Sequence, residues 1–325
     1  MSRPPRISVL LPTHRFARFL PEAIDSVLSQ DFEDFELLIS DDASGDGSAD
    51  IVHDYAKRDP RIRAHVQAGN LGMVPNWNWC LGQARGEHVK FVFGDDRLAS
   101  RHTLGRLAAL LDQDTAVVLA ASARLVIDED SRVIGRWNDL GASGRRRGLD
   151  VVRRALWEDR NVIGEPSCVM FRRAAAARGF DPRLRQVVDM EMWLHLLMKG
   201  DLAFDSEELC SFRRHPGQQS AANKSRRLGP TESLIVTVRY LDVLAGAARS
   251  WRGRIAFQNI CHRRLYYSRK HSPRTAEIER LEAILAARIP PVRAGAFLFW
   301  HRLSKPFLNL GRSLRGLFLR KPSKT

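Results

Sequence analysis

An apolar run that stops at two adjacent carboxylates, LLISDDASGDG (Leu37 to Gly47), constrains this chain more than any other stretch. Leu37, Leu38 and Ile39 show no polar alternation, as expected of a strand buried on both faces, the habit of parallel sheets. Ser40, Asp41 and Asp42 then mark the point where such a strand emerges into solvent, and the small residues after them read as a loop. In open α/β sheets that emergence point is where ligands bind. Asp41 and Asp42 are therefore either chemical groups or the punctuation of a strand end.

The neighbouring stretches decide the fold class. Ile7 to Thr13 reads as a buried strand, and Phe16 to Gln30 follows with apolar residues at helical spacing: Phe19, Leu20, Ala23, Ile24, Val27 and Leu28. Phe35 to Ser40 is the second strand, Ser48 to Lys57 the second helix, and Arg61 to Val66 the third strand. A helix starting at Pro75, a favoured first helical position, lines up Trp77, Cys80, Leu81 and Ala84. Val89 to Phe93 forms the fourth strand and ends at Gly94-Asp95-Asp96. Strand and helix alternating over short connections predict a doubly wound, mostly parallel sheet. Further on, VVLAAS and RLVID within Thr115 to Arg136 read as two short strands, followed by RVIGRW; Arg145-Arg146-Arg147 reads as a solvated loop with a phosphate role open to it.

Two strands thus end in paired aspartates, at 41/42 and at 95/96. If those strands are neighbours, four carboxylates face one cleft and repel one another unless a cation intervenes. Hard oxygen ligands favour Mg²⁺ or Mn²⁺ together with a hydroxyl- and phosphate-rich ligand. Other chemistries are set aside by what is missing. The turn PTHRFA lacks the G-x-G-x-x-G of dinucleotide folds, and no G-x-x-x-x-G-K-[ST] occurs. Asp42 to Asp46 imitates the start of a calcium loop, but its twelfth position is His53 and a strand precedes it.

Length and composition agree with one large domain plus an extension: 325 residues, 44% hydrophobic and 27% charged. The net charge of +15 is unevenly placed: residues 1–220 hold 30 basic against 32 acidic side chains, residues 221–325 hold 22 against 5. Cys80, Cys168, Cys210 and Cys261 lie too far apart for a zinc or redox motif and read as reduced, buried thiols. With no secretory leader and no run near the ~18 apolar residues of a spanning helix, the expectation is a cytoplasmic protein.

Taken in order, PTHRFARFLPEAIDSVLSQ, ELLISDDASGDGS, NLGMVPNWNWCLGQARGE and FVFGDD resemble the nucleotide-binding half of a family 2 glycosyltransferase of the GT-A fold, over roughly residues 6–220. The resemblance implies transfer of a sugar from a nucleotide diphosphate sugar, a UDP-sugar first, to a hydroxyl acceptor, with inversion and help from Mg²⁺ or Mn²⁺. Matched residue by residue, Pro12, Thr13 and Asn70 would line the nucleotide pocket. Asp41 would take the base with Asp42 behind it, and Asp95 and Asp96 would divide ribose and metal. GEPSCVMFRR is similar to the acceptor-side segment, which assigns Glu165 and Pro166 to the acceptor. Asp189, which alone would be an N-cap, stands where the family has its catalytic base. His215 would reach the metal or diphosphate, and Arg213 or Arg214 would neutralise phosphate. The chain departs from the commonest pattern at Phe93, Val188 and Trp77, where other members carry an acid, a glutamate and an arginine.

The domains implied are residues 1–222, split near 100 into donor and acceptor halves, and a basic helical extension, 223–325. In the extension, 231–248, 251–270 and 274–288 read as helices. Trp300, Leu303, Phe307, Leu310, Leu314 and Leu317 form an apolar stripe among basic residues, the pattern of a helix lying on an anionic membrane. A lipid-linked or glycan acceptor fits such a location. The rival reading, an inactive sugar-nucleotide module with a nucleic-acid-binding tail, lacks a nucleic-acid motif. A nucleotidyltransferase would want a glycine-rich loop after the first strand, which PTHRFARF does not offer.

Overall fold

The computed structural model describes residues 3–289 apart from 220–222, 224–227, 247 and 249. Strands β1 (Ile7–Thr13), β2 (Phe35–Asp41), β3 (Ile62–Val66) and β4 (His88–Phe91) alternate with helices α1 (Leu20–Leu28), α2 (Ser48–Arg58) and α3 (Met73–Gln83). They pair in parallel in the order β3-β2-β1-β4. Every residue of β1 and β2 is buried, as strands covered on both faces must be. Helix α1 lays Leu20, Ala23, Ile24 and Val27 onto that sheet. The order reverses between β1 and β4, so the crevice of the open sheet lies at Thr13, Asp41 and the segment after Phe91.

Helix α1 is shorter than its apolar spacing predicts. Residues 16–19 form a turn in which the Phe16 carbonyl accepts from the Phe19 and Leu20 amides. Arg15, just before it, has φ +60°, a left-handed conformation uncommon for a long side chain. Helix α3 begins two residues before Pro75, at Met73, after Gly72 with φ +89°.

The second half completes the sheet differently from a simple doubly wound fold. After β5 (Arg97–Leu98) and α4 (Thr103–Asp112) comes β6 (Val117–Ile127), one continuous strand where the sequence reads as two. Its small residues Ala120 to Ala123 resemble a break in sequence. In the fold they are pinned by β9 (Val169–Arg172) on one side and β10 (Asp201–Arg213) on the other. β9 runs antiparallel to both β4 and β6 and joins the two halves of the sheet. β7 (Val133–Trp137) adds to β6, and β8 (Gly144–Arg146) to β10, before α5 (Gly148–Glu158) and α6 (Val188–Leu197). Of the three arginines expected in a loop, Arg145 and Arg146 therefore lie in β8 and Arg147 precedes α5. Arg145 pairs there with Asp201 and Asp114.

By contacts the chain divides after Glu232, ten residues beyond the 222/223 boundary read from composition. The first unit is the sheet domain. The second is helical: α7 (Gly229–Arg239), within which the division falls, then α8 (Leu241–Gly246), α9 (Trp251–His271) and α10 (Ala276–Ala286). The helix expected over 231–248 is thus two. Ser250 and Thr275 cap α9 and α10 with side-chain bonds to the Gly253 and Ile278 amides. Buried Glu282 accepts from Ser268 at 2.7 Å and pairs with Arg274, tying these two helices together. No helix among the described residues is long and apolar enough to cross a membrane. The apolar stripe from Trp300 to Leu317 lies outside the described residues.

Close backbone approach fixes the entry to β4. A Cβ on Gly86 would stand 2.4 Å from the Ser8 amide nitrogen and 2.7 Å from the Ile7 carbonyl carbon. Gly86→Ala is expected to destabilise the sheet domain by about 1–3 kcal/mol, the usual cost of overpacking. It should lower the urea midpoint with an unchanged m-value.

Candidate active site

At the end of β1, Pro12 and Thr13 sit beside Ser40 and Asp41 in register. The Thr13 hydroxyl is buried with no hydrogen-bond partner, and a Cβ on Gly94 would come within 2.6 Å of it. Asp41 and Asp42 are both buried and both spoken for by backbone. Asp41 accepts from the Ser44 hydroxyl and, at 3.1 Å, from the Ser44 amide. Asp42 accepts from the Leu71 and Gly72 amides at 2.6 and 2.9 Å, holding the loop before α3. Asn70 and His14 converge on the Asp42 carbonyl, at 3.1 and 3.0 Å. Exposed Arg15 leaves this rim on its left-handed residue; the sequence gives no signal for it beyond its place after Thr13.

The second aspartate pair is not a neighbour of the first, because β1 lies between β2 and β4. Its two members also point to different partners. Asp96 is turned into the fold, where it accepts from the Ser167 hydroxyl at 2.6 Å and the Arg213 amide at 2.9 Å. Burial, then the charge of Asp95, hold its carboxyl well above the usual range. Asp95 instead meets His215, Oδ2 to Nε2 at 3.1 Å. The His215 ring is braced by Phe16 and Phe19, with centroids 5.8 and 5.1 Å away.

Arg213 is not the phosphate ligand its sequence context suggests. It is fully buried, and its guanidinium donates to the Asp95 and Asp128 carbonyls at 2.7 and 3.0 Å, to Ser131 Oγ at 2.9 Å and to Glu22 at 2.5 Å. It also lies over the Phe19 ring. Among the pair of arginines only Arg214 has an exposed side chain.

The loop 161–168 links the metal-motif side to Asp189. Asn161 accepts from the Ile163 and Gly164 amides and donates to the Gly164 carbonyl, which also receives Trp193 Nε1 at 2.9 Å. The same Asn161 amide donates to Asp189 Oδ2 at 3.0 Å. Asp189 lies inside the first turn of α6, one residue past its start, and bonds the next amide at 2.7 Å, so it is not the N-cap its sequence position suggests. Its side chain is partly open to solvent, yet surrounded closely enough that desolvation, with Glu165 adding repulsion, raises its pKa to about 6. Glu165 forms an ion pair with buried Arg124, 2.5 Å from Nε but off the line of a hydrogen bond. Pro166 opens the short 3-10 turn to Cys168. Beneath that turn, fully buried Lys90 donates to the Phe91 and Ser167 carbonyls.

The family model described as glycosyl transferase family 2 matches residues 8–180, more than half of the chain. The chain belongs to glycosyl transferase family 2. An uncharacterized protein of Mycobacterium tuberculosis, MT1568, is 33% identical over 70% of this chain and 71% of its own length. A GalNAc(5)-diNAcBac-PP-undecaprenol beta-1,3-glucosyltransferase of Campylobacter jejuni is 38% identical over 34% of each chain. Among solved structures, TarS of S. aureus in complex with UDP-GlcNAc aligns with a TM-score of 0.58 at 18% identity, over 86% of this chain and 83% of that one. The mannosyltransferase PcManGT of Pyrobaculum calidifontis, in complex with GDP-Man and Mn²⁺, aligns at 0.56 and 18% identity, over 90% and 88%. These likenesses give the sheet domain the GT-A fold.

Within this family 2 glycosyltransferase, Asp95 and His215 are the pair whose donors suit a divalent cation, one carboxylate oxygen and one imidazole nitrogen. Among the described residues no group of three or more His, Cys, Asp or Glu side chains converges to hold a metal. Mg²⁺ commonly makes up its shell with water and substrate phosphates, so two protein donors fit the requirement. The parts that the sequence did not announce, Asn161, Ser167, Arg124 and Lys90, act through backbone carbonyls and other side chains. Only fold contacts reveal such roles.

The raised pKa of Asp189 has a consequence for stability. The folded state binds this proton more tightly than the unfolded chain does, so stability falls as pH rises from about 4 through about 6. Asp189→Asn should therefore be the more stable protein above pH 6, by at most about 3 kcal/mol at ~1.4 kcal/mol per pKa unit, with the difference gone below about pH 4. Denaturant unfolding at pH 4 and pH 8 measures it.

Proposed function

We propose that this protein is an inverting glycosyltransferase that moves a sugar from a nucleotide diphosphate sugar to a hydroxyl acceptor in cell-surface glycan assembly. The observation that carries the reading is Asp189, a carboxylate held by Asn161, partly open, with its pKa raised to about 6. An acceptor hydroxyl is a weak nucleophile, and a carboxylate poised just below neutral pH takes its proton as it attacks. Direct attack on the anomeric carbon inverts it, and the nucleoside diphosphate departs.

On this reading Pro12, Thr13, Asp41, Asp42 and Asn70 shape the nucleotide side, and Glu165 and Pro166 the acceptor side. Asp95 and His215 would hold a divalent cation, which when bound would neutralise the diphosphate as its charge develops. Asp96 positions Asp95 rather than sharing its ligand, since its own oxygens are bonded to Ser167 and the Arg213 amide. UDP is the first candidate for the nucleotide, supported by the UDP-GlcNAc complex of a protein of the same fold. A lipid-linked acceptor is supported by the undecaprenol-linked substrate in the name of the C. jejuni relative.

Asp189→Asn should reduce transfer by at least ~10² to 10⁴, the range of general-base catalysis, while the nucleotide Kd stays within about threefold. In the wild type the rate should climb through about pH 6 and flatten above it. Full turnover by the Asn variant would remove Asp189 as the base.

The basic tail extends the proposal to a peripheral location on an anionic membrane, each Lys or Arg adding ~1 kcal/mol near such a surface. Truncation after Ile289 should release the protein from phosphatidylglycerol-containing vesicles in a sedimentation assay. Unchanged co-sedimentation would send the anchor elsewhere.

A further inference from the structure

The hairpin strand β7 carries a group of exposed side chains that the transfer chemistry above does not use. Val133, Ile134 and Trp137 are among the most exposed large apolar residues of the described chain, and more than a third of Trp137 is open to solvent. The strand register says which face Trp137 occupies. Trp137 is paired with Arg124 and Arg124 with Cys210, so all three project from one face of the sheet, and alternation along β10 returns Phe212 to it. The rings of Trp137 and Phe212 meet across β6 with centroids 5.6 Å apart, and the Arg124 guanidinium lies 5.1 Å from the Trp137 centroid. Arg124 is the partner of Glu165, and Glu165 follows Gly164, whose carbonyl shares the Asn161 amide with Asp189. Trp137 is therefore tied through Arg124 and Glu165 to the loop that holds the carboxylate assigned as base.

We infer that Trp137 and Phe212 form the wall of an acceptor subsite for a pyranose ring, an inference that rests on the reading of Asp189 as the group the acceptor approaches. A sugar ring has an apolar face of C–H groups carrying slight positive charge, which suits the negative face of an aromatic ring, and an edge of hydroxyls that need acceptors. Both halves of that requirement meet here. The aromatic pair supplies the face, and the carboxylates of Glu165 and Asp139 flank Arg124 with side chains 25% and 22% exposed. Arg124 pairs with both acids and Arg160 with Asp139, so charged donors and acceptors stand together at this edge, as a ring of hydroxyls requires, and a wholly apolar partner would leave them unmet.

Saturation-transfer NMR tests this directly, using the full chain with methyl β-glycosides of glucose, galactose, N-acetylglucosamine and mannose at millimolar concentration. The expected result is saturation focused on one face of the ring, H1, H3 and H5, reduced at least fivefold in Trp137→Ala and partly kept in Trp137→Phe. Thermal stabilisation by UDP or GDP with Mn²⁺ is measured alongside and should not differ between these variants and wild type. Equal saturation in wild type and Trp137→Ala overturns the subsite, as does a wild type that saturates no glycoside. A change in oligomeric state on Trp137→Ala, read by light scattering, would assign β7 to contact between copies of the chain and overturn it as well. If neither nucleotide stabilises the wild type, the donor reading fails by itself, and a glycoside signal that depends on Trp137 still supports the subsite.

Discussion

The structure of the active cleft depends on one buried cation. Arg213 has four hydrogen bonds to its guanidinium and lies on the Phe19 ring, and its backbone amide holds Asp96. Taking a guanidinium out of water costs several kcal/mol, which is recovered only when its donors are met in good geometry. Here they are met by three separate segments: α1 through Glu22, the Asp95 turn, and two points of the turn between β6 and β7. The strand β10 thus ends by fastening the first half of the sheet domain to the second, and His215, two residues on, arrives at Asp95 because Arg213 has already been placed.

The two aspartate pairs look alike in sequence and behave differently. β1 separates them, and the first pair spends its oxygens on the amides and hydroxyl of its own and the adjoining loop. That arrangement fixes the rim of the crevice with charge-assisted hydrogen bonds, which are stronger than neutral ones. The second pair splits, Asp96 inward and Asp95 outward. Four converging carboxylates held apart only by a cation are therefore not the design. The protein reaches the same end by distributing three of the four onto donors of its own.

Much of this was legible before any coordinates. Strands such as Ile7–Thr13 and Phe35–Asp41 announce themselves because burial on both faces leaves an unbroken apolar run, and the amphipathic spacing in Leu20–Leu28 is equally plain. The family resemblance then names the residues at strand ends. What sequence conceals is partnership over distance. Nothing local distinguishes Arg213 from exposed Arg214, or shows that Ala120 to Ala123 continue a strand rather than interrupt it, because each depends on neighbours far along the chain. The role of Lys90 is hidden in the same way: a lysine in a strand reads as an edge or a surface, and here it is sealed under the Ser167 carbonyl.

The antiparallel insertion of β9 between β4 and β6 carries a consequence for how the chain is made. Until Val169–Arg172 has been synthesised, β4 offers an unpaired edge next to an otherwise finished half-sheet. Such an edge is a template for foreign strands, and pairings across roughly eighty residues form slowly because the loop must close first. During translation the first half of the sheet is thus a nearly complete fold with one raw margin, and the segment that seals it is the same one that delivers Glu165 and Ser167 to the cleft. Placement of the 161–168 loop and protection from aggregation are, in this molecule, a single event.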